Sequence, residues 1–310
     1  MSFHFFLMII KKGDAMPDGK IIKALSGFYY VKTDDGIFQC RGRGVFRKNK
    51  INPLVGDNVE FIAENRHEGY ILDIKERENE LFRPPIANVD QAILIFSAKN
   101  PDFNTMLLDR FLVLIEANHI RPVIIITKID LLNERELINM ENIVSDYKQL
   151  GYEVALTSST KGEGIQQILP ILKNRISVFA GQSGVGKSSL LNALRPDLKL
   201  ETNVISKHLG RGKHTTRHVE LLEIAGGLVA DTPGFSSLEF KNIEVEELSY
   251  FFPEMKERIN NCKFRGCLHL KEPVCAVKEA VKNGVIKDYR YQHYLSFLEE
   301  IRQRKPRYEK

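Results

Sequence analysis

The residues with the most definite chemistry lie at 181–189. Gly181-Gln182-Ser183-Gly184-Val185-Gly186-Lys187-Ser188, followed by Ser189, fits the spacing G-x-x-x-x-G-K-[ST]. Glycines at these positions let successive backbone N–H groups turn inward and wrap a phosphate. The apolar stretch 176–180 before the motif reads as a strand, and 189–194 after it reads as a helix. The N-terminus of that helix adds partial positive charge where the phosphates would sit. On this reading Lys187 reaches the β and γ oxygens of a nucleoside triphosphate, and the Ser188 hydroxyl ligates Mg²⁺. A chance glycine-rich turn would not have both flanks in the right conformation.

Asp231-Thr232-Pro233-Gly234 follows a second apolar stretch, Gly227-Leu228-Val229-Ala230. The spacing D-x-x-G lets Asp231 hold the Mg²⁺ through water while the Gly234 N–H senses the γ-phosphate. Residues 202–217 lack apolar periodicity and contain Gly210-Arg211-Gly212-Lys213-His214-Thr215-Thr216. They suit a switch whose threonine binds Mg²⁺ only when the γ-phosphate is present, and Thr215 and Thr216 are both candidates. Phe235 occupies the position after D-x-x-G, where a glutamine could orient an attacking water. Phenylalanine cannot do this, so hydrolysis is expected to be slow unaided. His214 is the candidate for positioning that water, against the competing reading of a surface histidine.

Base selection would come from elsewhere. Thr127-Lys128-Ile129-Asp130 ends an apolar stretch and resembles the [NT]-K-x-D element of GTPases. A carboxylate at Asp130 can accept from guanine N1–H and N2–H₂, a donor pair adenine lacks, and sites built on such bonds discriminate strongly. The aliphatic stem of Lys128 would pack over the base. Thr157-Ser158-Ser159 closes a further strand and fits the backbone element that reads guanine O6. These base-reading segments precede the phosphate loop in the chain, the reverse of the usual order. The pocket needs only the right positions in space, so a circularly permuted chain can build it.

Cys262-x₄-Cys267-x-His269-x₅-Cys275 places three thiols and an imidazole within a short stretch. Such a set closes a tetrahedral Zn²⁺ shell with no open position, so the zinc would be structural. The competing reading is a cluster of buried free cysteines. With only 4 cysteines in 310 residues, a secreted disulfide scaffold is excluded.

The elements that must position these residues fall into three groups. Five short β-rich segments between 20 and 74, separated by turn residues such as Ser26-Gly27 and Asp34-Asp35-Gly36, predict a small barrel of OB type. Arg41, Arg43, Arg47, Lys48 and Lys50 fall in an expected loop of that barrel, either a solvated loop or an RNA-tracking surface. Arg83-Pro84-Pro85 reads as a linker. Beyond it, strands at 91–98, 123–126, 154–156 and 176–180 alternate with helices starting near Asn104 or Thr105, at 134–150 and at 165–172. That alternation predicts a parallel α/β sheet. Helices expected at 245–258, 275–283 and 285–304 flank the cysteines and look too short and polar to build a large core, which would leave stability to the metal. The fold class is therefore multidomain: an OB-fold β-barrel over 16–82, a circularly permuted α/β P-loop domain over 83–240, and an α-helical zinc-binding domain over 241–310. Residues 1–15 open with an apolar run at 1–10 that Lys11 and Lys12 follow rather than precede, and they are expected to be a disordered extension, with Met16 a second possible start. No apolar run reaches membrane-spanning length. The net charge of +5 is mild, so a nucleic-acid surface must come from local clustering.

In sequence, T-K-I-D, G-Q-S-G-V-G-K-S-S, G-K-H-T-T-R-H, D-T-P-G-F and C-x₄-C-x-H-x₅-C together resemble the circularly permuted GTPases of the RsgA (YjeQ/YloQ) family, over about residues 16–308. The resemblance implies a monomeric cytoplasmic GTPase that binds GTP and GDP with Mg²⁺, carries one Zn²⁺, and acts on the small (30S) ribosomal subunit and its 16S rRNA late in maturation. Subunit-stimulated hydrolysis would drive its release. The alternatives are a GTP-controlled RNA-binding module with little turnover, and a P-loop enzyme acting on small molecules. Calorimetry on the purified protein should show GTP binding with no comparable response to ATP.

Overall fold

The computed structural model describes residues 17–48, 51–82, 84–198, 219–231 and 238–304. The N-terminal strands are β1 (Asp18–Leu25), β2 (Phe28–Thr33), β3 (Gly36–Gly42), β4 (Asn58–Asn65) and β5 (Glu68–Ile74). They close in the order β1-β2-β3-β5-β4, with β3 and β5 parallel and the other pairs antiparallel. This is the five-stranded barrel that the five β-rich segments and their turn residues predict. Ile21, Val31, Cys40, Val59, Phe61 and Ile71 point inward and are essentially fully buried. Asp57 is also buried. Its carboxylate takes two bonds from Arg77, at 2.7 and 2.9 Å, and one from the Leu54 N–H at 2.7 Å. That bidentate pair satisfies a charge that burial alone would penalise.

Two local expectations are corrected. The basic stretch after β3 is not all loop, because Gly44–Lys48 forms a short helix, α1. Its Phe46 is buried, and removing that ring from water outweighs the weak helical preference of so short a segment. Where Arg83-Pro84-Pro85 reads as a linker, β6 (Glu80–Phe82) and β7 (Pro85–Ala87) pair as antiparallel strands. Leu81 and Ile86 are buried there, so the segment ties the barrel to the central domain rather than spacing the two apart. Val55 of the barrel bridges Ile86, and the Ala87 N–H donates to the Val55 carbonyl at 2.9 Å.

The central sheet contains β8 (Gln91–Ser97), β9 (Arg121–Thr127), β10 (Glu153–Leu156), β11 (Ile176–Ala180), β12 (Leu221–Ile224) and β13 (Gly227–Asp231). Their order is β10-β9-β8-β11-β13-β12, parallel throughout except for β12, which pairs antiparallel with β13. Every residue of β8 and β11 is buried, as expected of strands covered on both faces. The helices are α2 (Thr105–Glu116), α3 (Glu134–Gln149), α4 (Ile168–Leu172) and α5 (Lys187–Leu194). Asn104 caps α2 by accepting from the Leu107 N–H at 2.9 Å, and Asn133 and Glu136 form a reciprocal capping box on α3. The barrel meets the outer edge of β12. Lys23 of β1 bridges Glu220 through the backbone and through an ion pair at 2.9 Å, and Lys32 pairs with Glu223.

The C-terminal region holds α6 (Pro253–Lys256), α7 (Ala276–Lys282) and α8 (Asp288–Gln303). The expected helix at 245–258 is broken into two short pieces, a 3₁₀ turn at Leu248–Phe251 and then α6. The expectation of a meagre core is also corrected. Phe252, Met255, Val277, Tyr294, Phe297, Leu298 and Ile301 bury together, and Val113 of α2 joins them from the central domain. The polar residues of α8 that weakened the sequence pattern include Arg290, which is buried. Its guanidinium donates to Glu254 at 2.7 and 3.1 Å and to Asp109 of α2. The same Asp109 accepts from the Tyr147 hydroxyl at 2.7 Å and bonds the His293 ring at 2.6 Å. Four elements therefore meet on one buried charge cluster. Removing one partner of such a cluster leaves an uncompensated charge in low dielectric. Arg290→Met should lower the unfolding free energy by about 3–5 kcal/mol, read by urea denaturation.

Candidate functional site

Parallel strands deliver their following loops to one edge of the sheet. The loops after β8, β9, β10 and β11 thus emerge side by side, although the chain visits β9 and β10 before β11. Asp231 ends β13 in register with Phe179 of β11, which brings its backbone next to the start of the phosphate loop.

The phosphate loop runs from β11 into α5. Gly181 has φ +152°, and a Cβ there would lie 2.1 Å from the Ile95 carbonyl oxygen, so only glycine fits. Gly186, at φ +93°, precedes the first residue of α5, Lys187. The Lys187 ammonium donates to the Gly181 and Gln182 carbonyls at 2.7 and 2.6 Å, so it lies across the loop where phosphate oxygens would be met. Ser188 and Ser189 follow in the first turn of α5, at a helix N-terminus suited to anionic groups. Ser188 could hold a Mg²⁺ that accompanies the phosphates.

The segment 127–130 docks directly on this loop. The Thr127 hydroxyl lies 2.5 Å from the Val185 carbonyl and 3.2 Å from the Phe96 carbonyl. Lys128 has a left-handed backbone, φ +59°, which turns its side chain back over the pocket. Its ammonium donates to the Gly184 carbonyl at 2.6 Å and to the Asn100 carbonyl. Ile129 and Asp130 begin a 3₁₀ turn, and the Ile129 N–H reaches the Thr157 carbonyl at 3.3 Å. Asp130 accepts from the Ser158 hydroxyl at 2.6 Å, and Ser158 also contacts the Thr160 hydroxyl at 2.9 Å. The Ser158 bond holds the Asp130 carboxyl below its usual range, with Thr160 assisting. The carboxylate is thus charged and aimed, as an acceptor for two guanine N–H groups must be. Thr157, Ser158 and Ser159 follow β10 at the same edge. The structure accordingly brings 127–130, 157–159 and 181–189 together. Gly234, Phe235, His214, Thr215 and Thr216 lie outside the described residues, as does the side chain of Asp231.

The sequence reading missed the loop after β8. Asn100 supports Lys128, and Lys99 ties the loop to Glu136 of α3 at 2.8 and 3.0 Å. The Asn100 contribution is a backbone carbonyl, which leaves no residue signature.

A second site lies in the C-terminal region. Cys262, Cys267, His269 and Cys275 present ligand atoms all within 4.8 Å of one another. The His269 Nδ1 is 3.3 Å from Cys275 Sγ and 3.7 Å from Cys262 Sγ, and those two sulfurs are 3.9 Å apart. A tetrahedral ion with sulfur and nitrogen ligands would separate its donors by about 3.5–3.8 Å, so the set fits one metal ion. Burial pushes the Cys267 thiol up to about 12, and His269 Nε2 is buried with no hydrogen-bond partner among the described residues. A cation in this set would hold the thiols as thiolates, a form that burial alone disfavours. Cys275 also caps α7, its sulfur accepting from the Lys278 N–H at 3.5 Å, so metal and helix share an anchor.

Two outcomes are expected. Ser158→Ala should weaken GTP binding about tenfold by calorimetry, the scale of one hydrogen bond to a charged group. Elemental analysis should find one metal ion per chain, lost together with several degrees of melting temperature in Cys275→Ser.

Comparison with known proteins agrees with this geometry. Residues 74–241 match the RsgA GTPase family, and 18–71 match the RsgA N-terminal domain. The small ribosomal subunit biogenesis GTPase RsgA of Geobacillus sp. (strain WCH70) is 66% identical over 293 residues, covering 94% of this chain and 100% of that one. Its Bacillus subtilis (strain 168) counterpart is 63% identical over 298 residues, with the same coverage. The crystal structure of YloQ, a circularly permuted GTPase, superposes with a TM-score of 0.82 at 57% identity, covering 95% of this chain and 98% of that one. YjeQ from Thermotoga maritima superposes with a TM-score of 0.84 at 39% identity, covering 93% and 99%. With a barrel, a permuted sheet and a pocket assembled from out-of-order loops, this chain belongs to the RsgA family of circularly permuted GTPases.

Proposed function

We propose that this GTPase binds the small (30S) ribosomal subunit and assists its late maturation, and that the subunit stimulates GTP hydrolysis, which drives release. The observation that carries the proposal is the single pocket made by the Thr127–Val185 and Lys128–Gly184 contacts, in a chain 66% identical to a protein named for small-subunit biogenesis. In this reading Asp130, Lys128 and the 157–159 backbone select guanine. The 181–189 loop holds the phosphates of GTP or GDP, and Ser188 and Asp231 hold Mg²⁺. Gly234 and one of Thr215 or Thr216 respond to the γ-phosphate, and His214 positions water in place of the glutamine that Phe235 replaces. The ion in the Cys₃His site is Zn²⁺, whose preference for thiolate and imidazole in a closed shell matches that donor set. Barrel (16–82) and zinc region (241–310) contact 16S rRNA on either side of the central domain, and the protein acts as a cytoplasmic monomer. Among the described residues no helix is long and apolar enough to cross a membrane.

Phe235 favours a second reading. Its ring cannot orient water, so a GTP-controlled RNA-binding module with little turnover stands as the alternative. Measuring hydrolysis with and without purified 30S subunits separates the two. A large rise with subunits supports the proposal, and binding with no rise supports the alternative. His214→Ala should abolish most of the subunit-stimulated single-turnover rate while leaving GTP affinity unchanged, and an unaltered rate removes His214 from the mechanism.

A further inference from the structure

The loop between the first two metal-site cysteines carries a surface the established chemistry does not use. Lys263, Phe264, Arg265 and Gly266 are consecutive exposed residues, and Phe264 is 44% exposed. The Lys263 ammonium stands 5.7 Å from the centre of the Phe264 ring. The loop is held from several sides. Its ends are the clustered Cys262 and Cys267, and the Lys263 N–H donates to the Val274 carbonyl at 3.2 Å. Lys271 adds a further cation, and Glu272 is the only acid between Cys262 and Cys275. That carboxylate is turned inward, accepting from the Leu268 and Leu270 N–H groups at 2.9 and 2.7 Å. Among the described residues Lys263, Arg265 and Lys271 make no ion pair.

An aromatic ring kept in water on a braced loop, between cations with the nearby acid occupied, has the chemistry of a stacking platform for a nucleic-acid base. The cations would meet the flanking phosphates and the ring would meet the base. A protein partner at so basic a tip would have to be acidic, and an acidic surface gains nothing from the ring. We infer that Phe264 stacks on an unpaired RNA base while Lys263, Arg265 and Lys271 contact its neighbouring phosphates. This rests on the 30S reading above and names the residue that makes the contact.

The chain contains no tryptophan, so Phe264→Trp places a lone indole at the tip. Titrated with a single-stranded oligoribonucleotide of about twelve residues, the full-length variant should lose fluorescence through stacking, with an affinity that falls as salt rises. In co-sedimentation with 30S subunits, Phe264→Leu should bind about tenfold more weakly than the unsubstituted chain, and Phe264→Trp should bind as well as it. Phe264→Leu should keep its metal content and melting temperature, since the ring is not part of the core. If Phe264→Leu sediments with 30S as well as the unsubstituted chain, the stacking inference is wrong and the 30S reading stands. A brighter, blue-shifted indole in the complex, the mark of burial against protein, also overturns it. Failure of the unsubstituted chain to bind 30S removes the underlying reading itself.

Discussion

One buried hydroxyl holds the nucleotide pocket in register. Thr127 Oγ1 lies between the carbonyls of Phe96 and Val185, so it touches the strand beside it and the phosphate loop beyond. Lys128 repeats the link one residue later, from Gly184 to Asn100. The segments proposed to meet opposite ends of a nucleotide are thereby fixed relative to each other. A base-reading loop that moved independently of the phosphate loop would select poorly, because discrimination depends on the site's polar groups being held where the wrong base leaves them unpaired. The parallel pairing of β8 with β9 and with β11 makes the link possible, and that pairing is indifferent to the order in which the chain supplies the strands. Permutation is therefore tolerated by the chemistry as well as by the fold.

Much of this was legible in the residues because each signal was doubled. The phosphate loop had a strand before it and a helix after it, and both are present. The five barrel strands were legible because their turns are marked by Ser26-Gly27, Asp34-Asp35-Gly36 and Gly56-Asp57. The cysteine spacing was legible because a closed metal shell needs few residues close in sequence. What escaped was decided by partners distant in the chain. Pro84-Pro85 signals a break locally, yet Leu81 and Ile86 find a common core and make a hairpin. Asp109 carries no local mark of burial, and its partner Arg290 lies 181 residues away. A buried charge and an exposed one look alike in a single sequence, since only the tertiary fold decides which is desolvated.

The same distant contacts pack the three regions against one another. The barrel core and one face of the central sheet belong to one continuous apolar cluster that includes Ile86, Val89 and Leu221. The C-terminal helices share Val113 and Asp109 with α2. Helix α2 therefore has its apolar stripe divided between the sheet and the C-terminal region. Neither could move far without exposing part of it to water. The metal site lies beyond this junction, where Tyr291 and Tyr294 bond the His269 and Leu268 carbonyls at 2.5 and 2.9 Å. The helix that carries Arg290 on one face thus steadies the ligand loop with others.

The docking of the barrel on β12 bears on what the exposed edges of the sheet can pair with. An open sheet ends in strands whose outer N–H and C=O groups invite pairing with other molecules. At one end of this sheet, Lys23 meets Glu220 backbone to backbone, and the barrel stands where an intruding strand would have to lie. At the other end β10 spans only Glu153–Leu156, too brief a template for durable recruitment. The arrangement that attaches one domain to another thereby also closes off a route to self-association.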